Sequence, residues 1–190
     1  MADYITTWSG IHFTPLEPKK EEIRAEDIAH ALSLMTRANG HFPEFYSVAQ
    51  HCIHCCEEAA ARSYSARVQA ACLLHDGSEA YLADITRPVK KHLPGYLSIE
   101  EVLQSAIYEK FLGEPLTEEE EALVKDVDDA LLYYEFLHYM GEALMDCAPV
   151  LSGSPVFETL PFQTVEKRYL KLLKELLHQQ GFLDKSRIKP

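Results

Sequence analysis

Apolar positions recur along most of the chain at the spacing of helices. From Ile23 onward, apolar residues three and four apart form a pattern that stops at Asn39 and Gly40. Residues 4–13 differ, because β-branched and aromatic residues flank a Ser-Gly pair there and predict a small β-hairpin. The pattern therefore predicts an all-α protein with one small N-terminal hairpin.

Helix starts are indicated by capping boxes, in which Ser or Thr precedes Glu or Gln by three residues. They occur at Ser47, Ser98 and Thr117, and Ser65 is a further cap candidate. The predicted helices follow Ser47 and Ser65 and span about 99–112, 118–139 and 163–180. Prolines predict loops at 86–94 and 146–161. Five to seven helices with short connections favour an orthogonal helical bundle.

Composition restricts the partners more than the fold. The 190 residues, 47% of them hydrophobic, are expected to form one domain, residues 1–190. Eighteen Lys and Arg against thirty Asp and Glu give a net charge of −12, which repels nucleic-acid backbones and anionic membranes. No apolar run is long enough for a membrane helix, and the start lacks the features of a signal peptide. We therefore expect a cytoplasmic protein with no polymeric nucleic-acid partner and no membrane partner.

The most informative segment is an apolar helical stretch that ends in His75 and Asp76. It carries two metal-ligand side chains towards the interior. Burying a charged Asp is costly unless a cation or several hydrogen bonds compensate it. His51, on the preceding predicted helix, offers a second imidazole.

The predicted helix 118–139 carries three aspartates in its middle. At about 100° per residue, Asp128 borders the apolar stripe and Asp129 points nearly opposite to it. Asp126 lies at the other edge of the stripe, so the period of the helix favours Asp128 only modestly over Asp126 as the aspartate that borders the core. Glu135 falls within about 20° of the direction of Asp128, so we expect it to be the hydrogen-bonding partner of Asp128.

Four residues, which come from three of the predicted helices, carry a family resemblance: His51, His75, Asp76 and Asp128. Their order resembles the H…HD…D signature of the HD-domain phosphohydrolase superfamily. The longer run through Glu79 and residues 84–90 is similar to the branch that contains bacterial 5′-deoxyribonucleotidases and small phage or prophage phosphohydrolases. The resemblance covers roughly 25–140 and implies an HD-domain bundle, one divalent metal ion held by the four residues, and a homodimer. A C-terminal loop and helix, about 146–181, would follow the HD core.

The resemblance implies hydrolysis of the phosphomonoester of a small nucleotide, with (deoxy)nucleoside 5′-monophosphates as the leading substrates. Two imidazoles and two carboxylates suit a divalent ion such as Mn, Co, Fe, Ni, Zn or Mg. A metal-bound water would attack phosphorus. Glu79, four residues after His75, would orient or deprotonate that water, and Asp84 would protonate the leaving oxygen.

Basic residues near these positions are candidates for the phosphate contact. The candidates are Arg37, Arg87, Lys90 and Lys91. Arg37 is the first choice, because related deoxynucleotidases carry an arginine before the first metal histidine. Ala38 stands where those enzymes have tryptophan, so contacts to sugar and base would fall to Asn39 or His41, unless these two only form the turn.

Other functions stay open at this stage. They are a (deoxy)nucleoside triphosphate triphosphohydrolase, a di-iron oxygenase, and a non-catalytic HD domain that binds metal or nucleotide. An oxygenase needs histidines for a second metal, and only His54 or His92 is loosely placed. Cys52 and Cys55, with Cys56, would also suit a zinc or redox site, but their helical placement favours buried, reduced thiols.

Overall fold

Helices make up most of the fold in this computed structural model, which describes residues 3–181. The strands are β1 (Ile5–Thr6) and β2 (His12–Phe13). The helices are α1 (Ala25–Leu34), α2 (Val48–Ala61), α3 (Ala66–Leu74), α4 (Glu79–Leu82), α5 (Arg87–Lys90), α6 (Pro94–Leu112), α7 (Glu118–Met140) and α8 (Phe162–Gln179), with a 3-10 turn at Arg37–Gly40. The prediction of a helical protein with one small hairpin is confirmed. Both ends of the predicted domain 1–190 lie outside the described residues.

The hairpin is fastened to the first helix by a buried carboxylate. β1 and β2 pair antiparallel, with Ile5 opposite Phe13, and Gly10 turns the chain between them with a φ of 81°. The backbone N–H and the hydroxyl of Ser9 donate to Asp27 of α1 at 2.6 and 2.8 Å. These bonds hold the N-terminal segment against the helical core.

Local capping determines where α2, α3 and α7 begin. Ser47 and Gln50 form the reciprocal hydrogen bonds of a capping box, and so do Thr117 and Glu120. Ser65 accepts a hydrogen bond from the first turn of α3. All three predicted starts are confirmed.

The predicted helix start after Ser98 is wrong. α6 begins at Pro94, and the Ser98 hydroxyl donates to the Pro94 carbonyl at 3.1 Å from inside the helix. Proline suits the first turn of a helix, because its φ is fixed and it has no N–H to leave unpaired. The predicted loop 86–94 also contains a helical turn, α5, with Pro88 in its first turn.

The core lies around α2 and α3. These two helices pack on each other, and α8 packs on α1 and α3. The fully buried apolar side chains include Ile28, Leu32, Ile53, Leu73, Leu74, Leu103, Ile107 and Phe111. Tyr169 of α8 is buried too and donates its hydroxyl to the carbonyl of Leu73 at 2.7 Å. Among residues 3–181, no helix has both the length and the apolar character needed to cross a membrane.

The segment 141–161 between α7 and α8 is irregular, as predicted for 146–161. Glu58 of α2 accepts the backbone N–H groups of Ser152 and Gly153 at 2.9 and 2.7 Å. Gln50 donates to the carbonyl of Glu158 at 2.9 Å. The segment therefore lies against α2, the helix that also carries His51.

Candidate metal centre

Two imidazoles and two carboxylates meet at one place in the interior. His51 comes from α2, His75 and Asp76 directly follow α3, and Asp128 comes from α7. The Nε2 atom of His51 lies 3.2 Å from Nε2 of His75 and 3.0 Å from Oδ1 of Asp128. Nε2 of His75 lies 3.4 Å from Oδ1 of Asp76. The structure thus brings the four predicted metal ligands together, and we call them the ligand cluster.

Each imidazole of the ligand cluster has one nitrogen bound by the protein. Nδ1–H of His51 donates to Oε1 of Glu135 at 2.6 Å, and Nδ1–H of His75 donates to the carbonyl of Cys72 at 2.7 Å. Both partners are acceptors, so they assign the proton to Nδ1 and leave a lone pair on Nε2. The prediction that Glu135 partners Asp128 is wrong, because Glu135 orients His51 instead.

The ligand cluster fits a cation. When both rings are neutral, the two Nε2 lone pairs, 3.2 Å apart, repel each other unless a proton or a metal ion lies between them. Oδ2 of Asp76 is buried and has no hydrogen-bond partner among the described residues. Two imidazole nitrogens with two carboxylates are the mixed donor set that suits late first-row divalent ions. His51, His75, Asp76 and Asp128 could therefore hold a divalent ion.

The charges within the ligand cluster depend on one another. Burial alone would raise the pKa of Asp128, but His51 and His75, when their rings are protonated on Nε2 as well, donate hydrogen bonds to its carboxylate and hold its pKa well below the ordinary value. Burial alone would lower the pKa of His75, but the neighbouring carboxylates, Asp76 first, raise it well above its ordinary value. A site that favours protonated imidazole favours positive charge in general, so protons and a metal ion would compete for it.

Arg37 lies inside the cluster rather than at its edge. Its Nη2 is 3.3 Å from Nε2 of His51 and 3.4 Å from Oε2 of Glu135, and its Nη1 is 3.6 Å from Oδ2 of Asp76. Burial opposes its charge, yet Glu135 and the other carboxylates raise its pKa well above its ordinary value. Arg37 is therefore a fixed cation beside the candidate ligands.

The turn that carries Arg37 has an unusual backbone. Ala38 and Asn39 both have φ of 51°, in the left-handed region that side chains other than glycine disfavour. The backbone N–H of Arg37 donates to the carbonyl of Tyr46 at 2.9 Å, which closes the loop behind the turn. Asn39 and His41, the candidates for sugar and base contacts, are exposed. The strained turn therefore directs Arg37 inward and leaves those two at the surface.

The other candidate phosphate contacts form ion pairs. Arg87 pairs with Asp128 and also with Oδ1 of Asp129, at 2.7 Å. Lys90 donates to Oε1 of Glu100 at 2.6 Å, and Lys91 is exposed. Arg87 thus touches the ligand cluster directly through Asp128.

Glu79 is a buried acid next to the ligand cluster. It opens α4 after a helical turn that continues from α3, and its Oε2 has no hydrogen-bond partner among the described residues. Burial, followed by the charges of Asp76 and Asp84, raises the pKa of Glu79 to about 9. Its carboxyl therefore carries a proton at neutral pH. Asp84 itself is partly buried in the loop after α4.

A pocket of about 270 Å³ opens against His75 and Asp128. Its other lining residues are Tyr108, Leu116, Glu121, Val124 and Lys125. A larger surface groove of about 980 Å³, between residues 16–21 and α6, contains none of the ligand cluster. The smaller pocket is therefore the one that could hold part of a ligand beside the candidate metal centre.

Two cysteines that the sequence analysis set aside lie at the ligand cluster. Sγ of Cys55 is 3.5 Å from Nε2 of His51. Ligand atoms of His51, Cys55 and His75 lie within 4.8 Å of one another, and so do those of Cys52, His75 and Asp76. The signal was present in the sequence, because Cys55 follows His51 by four residues and so shares its helix face. Both thiols are buried and free, as predicted.

His54, considered for a second metal, belongs to a separate hydrogen-bond chain. Its Nδ1–H donates to the Tyr46 hydroxyl at 2.8 Å, and that hydroxyl donates to Oε1 of Glu135 at 3.0 Å. Burial lowers the pKa of His54 to about 4, so the ring is neutral at physiological pH. His92 is exposed. In the described part of the chain, neither histidine joins a group of potential metal ligands.

Comparisons with known proteins find relatives without an assigned function. The chain is 39% identical over 108 residues to the uncharacterized protein YfdR of Escherichia coli, a match covering 57% of this chain and 58% of YfdR. It is 37% identical over 109 residues to an uncharacterized protein of Rhodobacter capsulatus, covering 54% of this chain and 55% of that protein. The chain thus spans little more than half the length of these curated relatives. No protein-family model matches it.

Proposed function

We propose that this protein is an HD-domain metal-dependent phosphohydrolase that cleaves the phosphomonoester of small nucleotides, with (deoxy)nucleoside 5′-monophosphates as leading substrates. The observation that carries the proposal is the convergence of His51, His75, Asp76 and Asp128, whose orientations fit a divalent cation. The order of these residues along the chain, which resembles the HD signature, supports the same reaction class.

A divalent ion in this cluster would polarise a phosphoryl oxygen and would lower the pKa of a bound water molecule towards neutral pH. The protein supplies the remaining groups. Arg37 is a largely buried guanidinium whose charge can offset that of a phosphate. Glu79 holds a proton on a buried carboxyl beside Asp76 and can donate it to a reacting oxygen as a general acid.

The proposed substrate is small. The pocket next to His75 and Asp128 is about 270 Å³, near the lower end for small-ligand sites, which favours a mononucleotide or part of one over a polymer. A net charge of −12 also opposes binding to a nucleic-acid backbone. We further propose that the protein is cytoplasmic and, from the resemblance to HD-domain proteins, that it forms a homodimer.

The test is phosphate release from ribo- and deoxynucleoside mono- and triphosphates, with Mn²⁺ or Co²⁺ added. A matched pair of variants on α7 controls the site assignment. Asp128→Asn removes a carboxylate from the ligand cluster, whereas Asp126→Asn removes an exposed carboxylate that pairs with Arg62. We expect phosphate from at least one monophosphate with wild type and Asp126→Asn, and none above background with Asp128→Asn.

Each other outcome changes the proposal in a defined way. Release of triphosphate from nucleoside triphosphates alone would replace it with a triphosphohydrolase. Metal binding without cleavage of any substrate would replace it with a non-catalytic binding domain. Equal activity in Asp126→Asn and Asp128→Asn would remove the ligand cluster from the reaction.

A further inference from the structure

A chain of hydrogen bonds reaches the ligand cluster from the far side of Glu135. Oε1 of Glu135 accepts Nδ1–H of His51 at 2.6 Å and the hydroxyl of Tyr46 at 3.0 Å. The same hydroxyl lies 2.8 Å from Nδ1 of His54. An ionised carboxylate only accepts hydrogen bonds, so the single proton of the Tyr46 hydroxyl goes to Glu135 and the ring of His54 donates to the hydroxyl. The chain therefore has one direction, from His54 through Tyr46 to Glu135.

Tyr46 differs from the other donors to Glu135. Among the described residues, three side chains donate to this carboxylate: His51, Tyr46 and Arg37, the last through Nη2 at 3.4 Å from Oε2. His51 would bind a metal ion and Arg37 a phosphate, so both would gain new partners when the site fills. Tyr46 has no such second task. It is therefore the donor that can hold Glu135 in the same place in the empty and in the filled site.

The ring of Tyr46 is itself held firmly. It is 1% exposed, and its centroid lies 5.4 Å from that of Tyr139, 6.0 Å from that of Phe157 and 6.4 Å from that of Phe42. We call these four rings the aromatic cluster. The side chain of Glu135, in contrast, has several rotatable bonds, and a single hydrogen bond leaves it free to turn. The rigid phenol therefore restricts the flexible carboxylate.

The position of Glu135 decides where Nε2 of His51 points. A rotation of the imidazole that breaks the bond from Nδ1–H also moves Nε2 away from the other candidate ligands. Residues that orient a ligating imidazole in this way typically change metal affinity by about 10- to 100-fold. We propose that Tyr46 is a positioning residue of the metal centre, whose hydroxyl holds Glu135 so that Glu135 aims Nε2 of His51 at the ion. This inference rests on the metal site of the proposed function and not on its reaction.

The test compares two tyrosines of the aromatic cluster. Tyr46→Phe keeps the ring and removes the hydroxyl that binds Glu135. Tyr139→Phe is the matched control, because its hydroxyl is buried but has no hydrogen-bond partner among the described residues. We expect the Zn²⁺ affinity of the metal-free protein, measured by competition with a chelator, to fall about three- to tenfold in Tyr46→Phe and to stay within about twofold of wild type in Tyr139→Phe.

A second readout follows the ring of His51 directly. In the Zn²⁺-loaded protein, nuclear magnetic resonance detects the Nδ1–H protons of His51 and His75, and their exchange with water reports how firmly each is bound. We expect faster exchange at His51 in Tyr46→Phe. The proton of His75 is the internal control, because its acceptor is the carbonyl of Cys72, and it should exchange as in wild type.

The outcomes separate a positioning role from a purely structural one. If Tyr46→Phe loses stability towards urea but keeps the Zn²⁺ affinity and the His51 exchange rate of wild type, Tyr46 only stabilises the fold and the inference is wrong. An equal loss of affinity in Tyr46→Phe and Tyr139→Phe would also overturn it.

The inference can fail separately from the proposed function. Weaker Zn²⁺ binding by Tyr46→Phe, in a protein that releases no phosphate from any substrate, would contradict the proposed reaction alone. An active enzyme in which Tyr46→Phe binds Zn²⁺ as tightly as wild type would contradict the role of Tyr46 alone. A wild type that binds no Zn²⁺ would overturn the inference together with the metal site.

Discussion

The charges of single side chains explain why the ligand cluster favours an additional cation. One largely buried guanidinium, that of Arg37, faces three carboxylates: Asp76 at 3.6 Å, Asp128 at 4.0 Å and Glu135 at 3.4 Å. Arg87 adds a second positive charge but divides it between Asp128 and a neighbouring aspartate. With both imidazoles neutral, three carboxylates against Arg37 and the shared charge of Arg87 leave an excess of negative charge, which protons on His51 and His75 offset when no metal ion is bound. A divalent ion would offset that excess and the burial cost that comes with it.

Side-chain directions on α7 could be predicted from the sequence only in part. Helical geometry favoured Asp128 over Asp126 for the interior, and Asp126 is indeed exposed and paired with Arg62. The same geometry failed for Glu135, because seven residues along a helix are about 10 Å of rise, too far for contact with Asp128. Glu135 instead contacts His51 on another helix. The residue period of a single helix cannot predict such contacts between helices.

The first prediction concerns the proton on Glu79. In Glu79→Gln, a neutral amide replaces a carboxyl that is protonated at neutral pH, so we expect the variant to adopt the same fold and to keep its metal affinity. The amide cannot exchange a proton, so phosphate release should fall about 10²- to 10⁴-fold. Elemental analysis of the metal content checks the first expectation, and the turnover rate at saturating substrate checks the second. Full activity in the metal-loaded variant would show that Glu79 takes no part in proton transfer.

A helix start that is fixed by a local capping box could be predicted from the sequence. A start that is fixed by competition between two possible first turns could not. Ser47 and Thr117 each form both bonds of the box. Ser98 satisfies the same pattern with a glutamate three residues later, but Pro94 begins the helix one turn earlier. Once the chain is already helical, Ser98 bonds back to the Pro94 carbonyl and has no helix start to cap.

The second prediction concerns the contact between α2 and the segment 141–161. Glu58 is buried and accepts N–H groups from Ser152, Gly153 and the side chain of Arg62. Glu58→Ala leaves those donors unpaired, so we expect a loss of about 1–3 kcal/mol in the free energy of unfolding, measured with urea. Hydrogen exchange at the amides of Ser152 and Gly153 should also become faster.

The neighbouring carboxylate provides the control for that prediction. Glu57 is half-exposed and pairs with Arg168 at the surface, so Glu57→Ala should change the free energy of unfolding by less than about 1 kcal/mol. Equal losses in Glu57→Ala and Glu58→Ala would mean that the bonds to the segment do not stabilise the fold.

Across the complete fold, stability depends on pH through buried groups with opposite effects. Glu79 is protonated in the fold to about pH 9, so its burial costs stability as the pH rises above the ordinary pKa of a glutamate. His54 acts in the other direction, because its buried ring is neutral in the fold down to about pH 4 but titrates near pH 6.5 when unfolded. The pH dependence of wild-type stability is therefore a sum of such contributions. Only a comparison with a variant isolates the contribution of one group.

The third prediction uses that comparison for His54. The stabilising contribution of its neutral ring is complete above about pH 6.5 and is lost as the pH falls towards 4, by roughly 3 kcal/mol in total. Urea unfolding at several pH values in this window should show a steeper loss of stability on acidification in wild type than in His54→Gln, which cannot titrate. His92→Gln, at an exposed position, should keep the wild-type slope. If His54→Gln and wild type lose stability equally on acidification, the ring of His54 takes up its proton in the folded protein as easily as in the unfolded chain.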